Sequence, residues 1–139
     1  MTRAIDKSSI RCVAVIQCEV TRERCPGGHC AIDFAKRRQH FEGYGPDVIF
    51  APIPCGGCPG RRISRTVRIL EHNVKNEGIT HDQIAVHLAS CMVFDSNHYP
   101  PCPNLDYIKR MLTRRGWRFV EGTHESNVAA RRRASGDYV

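Results

Sequence analysis

Four short apolar runs punctuate the chain: residues 10–17 (IRCVAVIQ), 48–54 (VIFAPIP), 84–90 (IAVHLAS) and 117–120 (WRFV). The first three are continuous rather than strictly alternating. That pattern suits parallel strands buried on both faces. Amphipathic stretches separate the runs. Residues 30–43 place Ala31, Phe34, Ala35, Arg38 and Phe41 on a mostly apolar helical stripe. Residues 59–77 repeat Ile63, Val67, Leu70 and Val74 at helical spacing, with the arginines mostly outside the stripe. Residues 104–115 put Leu105, Ile108 and Leu112 on one face, and Gly116 follows as a stop. Alternating strands and helices predict an α/β fold. It is expected to be a single three-layer domain around a roughly four-stranded parallel, Rossmann/flavodoxin-like sheet. The domain is expected to occupy residues 1–125, with residues 126–139 as a basic, mobile C-terminal tail.

A chain of 139 residues can bury a sizeable core without staples or metals. Its cysteines therefore point to function rather than to rescue of a weak fold. There are eight of them. The first residues, MTRAIDKSSIRC, contain no apolar leader core, and no run is long enough to span a membrane. A reducing, cytoplasmic setting is expected, where clustered cysteines read as metal or redox sites. The formal net charge is +7, with basic clusters at 36–38, 61–68, 114–118 and 131–133. An anionic small molecule is a conceivable partner. A nucleic acid is not expected, because no aromatic platform accompanies the charge and solvated helix faces account for it.

Cysteine positions matter more than cysteine number. Cys18 follows the first predicted strand directly, Cys55 and Cys58 the second, and Cys91 the third. His124 lies just beyond the fourth. A parallel sheet brings all carboxyl ends to one edge, where ligands bind near the reversal of strand order. These residues are thus expected to converge. Within Cys55-Gly-Gly-Cys58, two thiolates can chelate one ion while the glycines let the backbone turn. Pro59 is expected to open the next helix, placing Cys58 at a helix N-terminus that favours its thiolate. Cys25 and Cys30 flank a Pro-Gly-Gly-His loop and can also share an ion. Cys102 lies in the loop 95–103 and can reach the same edge. Cys12, inside the first strand, reads as a buried structural thiol. Among the other histidines, His29 and His98 are weaker candidates and His87 reads as a core residue. His40 and His72 fall on predicted helices, and His81 at the far end of the sheet.

The pieces CPGGHC (25–30), CGGCPGR (55–61), HLASCM (87–92), Cys102-Pro103 and VEGTH (120–124) occur in one order. On them the sequence resembles the CGGC-domain family. The resemblance implies a metal-binding, zinc-binding domain. It implies Cys18, Cys25, Cys30, Cys55, Cys58, Cys91, Cys102 and His124 as its motif positions.

Three chemistries compete for these residues. Zinc would take four sulfur or imidazole ligands, and Cys18, Cys55, Cys58 and Cys91 would suffice. An iron–sulfur cluster would also suit thiolates in glycine-rich loops. A thiol–disulfide enzyme would use Cys55, ahead of the helix, as its exposed nucleophile. A fourth possibility, a basic partner-binding module, would rest on the arginine clusters alone. No dinucleotide-binding glycine spacing, nucleophile elbow or carboxylate pair is present.

Overall fold

A computed structural model describes residues 5–94 and 101–125 of the chain. The expected tail and His98 lie outside them. Four strands form one sheet in the order β2-β1-β3-β4. They are β1 (Cys12–Gln17), β2 (Ile49–Pro54), β3 (Ile84–Leu88) and β4 (Phe119–Glu121). Every pairing is parallel. Helices α1 (Gly28–Ala35), α2 (Ile63–Lys75), α3 (Ser90–Val93) and α4 (Leu105–Arg114) connect or follow the strands. The architecture is the expected single α/β domain of Rossmann/flavodoxin type. No helix among the described residues is long and apolar enough to cross a membrane.

The core lies on both faces of the two central strands. Alternate residues of β1 point to opposite faces. Cys12, Ala14 and Ile16 join Val86 and Leu88 of β3 under α2 and α4. Val13, Val15 and Ala85 face the other way, against Phe34 of α1 and Phe41 and Tyr44 beyond it. Ile63 and Val67 of α2 and Ile108 and Leu112 of α4 are almost wholly buried. Each such side chain contributes about 1.5–3 kcal/mol of apolar burial.

Three expectations need correction. β2 is not buried on both faces: it is an edge strand, and only Ile53 is buried in it. Pro52 and Pro54 lack the amide donors that a central strand would need, and an edge tolerates that. The helix expected over 30–43 stops at Ala35, because Arg37 and Gln39 adopt left-handed φ values of 52° and 54°. Phe34 and Phe41 of the expected stripe are buried, but Ala31, Ala35 and Arg38 are exposed and Asp33 is buried. Finally, α2 begins at Ile63, not Pro59. Gly60 intervenes with φ +92°, and a Cβ there would stand 2.8 Å from Ile108 Cδ1. The residues before α2 are therefore a turn pressed against α4, and Cys58 is not at a helix N-terminus.

The end of β4 is sewn to β3 by polar contacts. His87, fully buried in β3, donates from Nδ1 to the Gly122 carbonyl at 2.8 Å. A carbonyl only accepts, so Nε2 carries the lone pair and accepts from the Tyr44 hydroxyl at 2.6 Å. The core reading of His87 holds: both ring nitrogens are bonded. The Gly122 amide donates to Leu88 O at 2.8 Å. Next to it, Ser90 and Thr123 exchange amide-to-hydroxyl bonds of 3.1 and 2.8 Å. These contacts fix the segment that carries Thr123 and His124.

Burial pushes the His87 imidazolium down to about 4. An unfolded histidine titrates near roughly 6.5, so between about pH 6.5 and pH 4 the unfolded chain binds the extra proton. Stability should therefore fall as pH drops through that window, by up to about 3 kcal/mol from this residue, and level off below it. Urea unfolding across the window should show this slope in the parent protein and lose it in His87→Gln. An unchanged slope in the variant would assign the effect elsewhere. At neutral pH, Tyr44→Phe should cost about 1–2 kcal/mol by leaving Nε2 unpaired.

Candidate functional site

Strand order reverses between β1 and β3, because β2 lies on one side of β1 and β3 on the other. The crevice beyond their carboxyl ends is where such sheets bind ligands. The ladder continues into it. Ala89 donates its amide to Ile16 O at 2.9 Å, and Cys55 donates to Gln17 O at 2.8 Å. Backbone pairing thus carries the chain directly into Cys18, Cys55 and Cys91.

One group of thiols centres on Cys91 in the one-turn helix α3. That helix was not expected from the sequence. The Cys91 sulfur lies within electrostatic reach of Cys18, Cys30 and Cys25. Burial pushes its thiol up to about 12, so it is protonated at neutral pH. Cys30, on α1, is also pushed up by burial. Its sulfur lies 3.2 Å from the Thr123 hydroxyl. Cys25 precedes α1 and is tied by its amide to Thr21 O at 2.9 Å.

A second group gathers around the Cys-Gly-Gly-Cys turn. Gly56 and Gly57 both take left-handed φ values, 78° and 95°, which lets the chain reverse between the two sulfurs. The Cys55 sulfur accepts the Glu19 amide at 3.2 Å. Cys102 arrives from the loop before α4, its amide bonded to Met92 O at 2.8 Å. Its sulfur accepts the Asn104 amide at 3.4 Å. Burial raises the Cys102 thiol, with Cys18, Cys58 and Cys55 in electrostatic reach. Cys18 therefore faces both groups. Cys55 is buried and Cys58 exposed, the reverse of the order expected for a thiol enzyme of this motif. Cys12 stands apart, fully buried in β1 with its thiol pushed up to about 11 by burial.

His124 reaches the Cys30 side of the crevice. Its Nδ1 donates to Asp33 Oδ2 at 2.5 Å. The other Asp33 oxygen lies 3.3 Å from Arg38 Nε. The ring stacks on His29 at 4.6 Å between centroids. With Nδ1 held by a carboxylate, the neutral ring carries its lone pair on Nε2. A carboxylate behind an imidazole is the arrangement that orients metal-binding histidines. Asp33 and Thr123 were missed by sequence reasoning. The only signal was an acidic residue one helical turn after Cys30. Of the remaining histidines, His40 pairs with Glu125 at 2.7 Å. His81 pairs with Glu71 at 2.9 Å and also contacts the Gly116 carbonyl.

The donor chemistry suits a thiophilic ion: soft sulfur ligands and an oriented imidazole. The geometry is less complete. Among the described residues, no three Cys, His, Asp or Glu side chains stand close enough together to hold one ion. Side-chain rotation would have to bring the sulfurs in. The loop carrying Cys18 and Cys25 contains Thr21, whose buried hydroxyl has no hydrogen-bond partner among the described residues. Such an orphan marks a segment that is not fully satisfied as it stands.

Comparisons with known proteins agree with this picture. The family model described as CGGC domain matches residues 12–124. The uncharacterized protein MJ0582 of Methanocaldococcus jannaschii is 32% identical over 120 residues, covering 81% of this chain and 85% of that protein. No solved structure matches the chain. Its cysteine-rich sheet edge fits a metal-binding role, and the chain belongs to the CGGC domain family.

Proposed function

We propose that this chain is a zinc-binding domain, with the ion held by thiolates at the carboxyl edge of the sheet. The observation that carries this reading is the surroundings of Cys91: a half-buried sulfur with Cys18, Cys25 and Cys30 in electrostatic reach. Those four sulfurs match the ligand number and type of a closed zinc site. His124, through Nε2, is a candidate to replace one of them. Cys102, which has Cys18, Cys55 and Cys58 in electrostatic reach, is with Cys55 and Cys58 a candidate for the same ion or a second one. A closed sulfur shell would supply structural cross-linking; an open position would supply Lewis-acid chemistry. In either case the protein's part is to bring β1, β3 and α1 together at one point.

A second reading has its own observation. Exposed Cys58 beside buried Cys55 suits thiol exchange with Cys58 as attacker. The Cys58 thiolate would attack a substrate disulfide and release one sulfur as a thiol. The Cys55 thiolate would then attack the mixed disulfide, leaving a Cys55–Cys58 disulfide and a second substrate thiol. Electrons balance, because the substrate disulfide is the oxidant.

Purification without oxygen, elemental analysis and an optical spectrum separate these readings. The zinc reading expects a colourless protein with about one zinc per chain. It also expects loss of most of that zinc in Cys91→Ser and full retention in Cys12→Ser. Brown protein with visible absorption and stoichiometric iron would replace zinc by an iron–sulfur cluster. Metal-free protein would end both metal readings. The thiol-exchange reading expects disulfide reduction by metal-free protein, abolished in Cys58→Ser. Inactivity of that metal-free protein removes it.

A further inference from the structure

The basic clusters of the sequence are not simply scattered over solvated helix faces. Two of them meet across a groove of about 820 Å³ between α2 and α4. Arg61, Arg65 and Arg68 line one wall; Arg110, Arg114 and Arg115 line the other. Among the described residues, no acidic side chain lines it. The guanidiniums are solvent-exposed, apart from the apolar stripes that bury α2 and α4. Arg65 and Arg68 of α2, and likewise Arg110 and Arg114 of α4, are like charges one helical turn apart. Such pairs destabilise a helix. Among the described residues no carboxylate in the groove neutralises these charges, so a bound anion would relieve their repulsion.

Size and aromatic content narrow the anion. The groove falls in the volume range of small-molecule clefts. From Arg110 to Arg114 the α4 wall runs about 6 Å, at roughly 1.5 Å per residue, which leaves room for more than one phosphate beside Tyr107. Tyr107 lines the groove and is half-buried against the core, so its ring is held in place. One ring offers a platform for one base, whereas grooves for single-stranded nucleic acids present successive rings. Planar guanidinium forks suit phosphate oxygens.

We infer that the α2–α4 groove binds a nucleoside polyphosphate, its phosphates held by the facing arginines and its base on Tyr107. The groove starts at Arg61, just beyond the Cys55–Cys58 turn, so its occupant would lie beside the thiol edge. The inference stands on the groove alone and does not depend on what the cysteines bind.

Calorimetric titration of the full chain at low salt, without divalent metal, tests it with ATP, tripolyphosphate and a short single-stranded RNA. ATP should bind, and tripolyphosphate should compete with it. The double variant Arg65→Gln/Arg110→Gln should weaken both by about tenfold or more. Tyr107→Ala should weaken ATP and spare tripolyphosphate. Lys36→Gln, on an exposed position beyond α1, should change neither. As a readout on the parent protein, ATP should shield Arg65 and Arg110 from phenylglyoxal and leave Arg11 reactive. Absence of ATP binding at low salt overturns the inference, as does binding unchanged in the double variant. Tighter binding of RNA that tripolyphosphate cannot displace also overturns it and assigns the groove to nucleic acid.

Discussion

β1 is hydrogen-bonded along both of its edges, to β2 on one side and β3 on the other, in parallel register. Its side chains are buried on both faces. That double constraint sets everything at the thiol edge. Because Gln17 pairs with Pro54 and Ile16 with Leu88, the residues that follow these strands emerge side by side. A slip of one residue would turn every β1 side chain to the opposite face and expose its buried set to the wrong helices. The burial of Ile16, Val13 and their neighbours therefore also fixes where Cys18 can be.

Secondary contacts refine that placement. The reciprocal Ser90–Thr123 bonds and the His87–Gly122 bond hold the end of β4 against the start of α3. Thr123 then touches the Cys30 sulfur, and His124 turns to Asp33. On the other side, Gly60 lets the turn after Cys58 press against Ile108. The helices thus contribute twice. Their buried faces stabilise the sheet, and their ends and exposed faces frame the thiol crevice and the arginine groove.

Much of the fold was legible in the residue pattern. The apolar runs placed all four strands, and the stripes of α2 and α4 were read correctly because burial drives both. The failures have local causes. Alternating prolines in β2 signalled an edge strand, but continuous apolarity masked them. The break after Ala35 depends on two left-handed residues that are not glycine, which no periodicity reveals. The start of α2 depends on contact between Gly60 and Ile108, distant in sequence. The common carboxyl edge of the strands followed from their parallel order and could be anticipated. The split of the thiols into two groups sharing Cys18, and the carboxylate behind His124, depend on side-chain approach between separate loops and could not. The meeting of the arginine clusters was hidden for the same reason: it arises only when α2 and α4 pack on one face of the sheet.

The central claim is that sulfur from several strands is gathered on one zinc ion. X-ray absorption at the zinc edge, on protein loaded with zinc under reducing conditions, reads the ligands directly. The account predicts a first shell dominated by sulfur at about 2.3 Å, diminished in Cys91→Ser. A shell made only of nitrogen and oxygen at about 2.0–2.2 Å, unchanged in that variant, would contradict it.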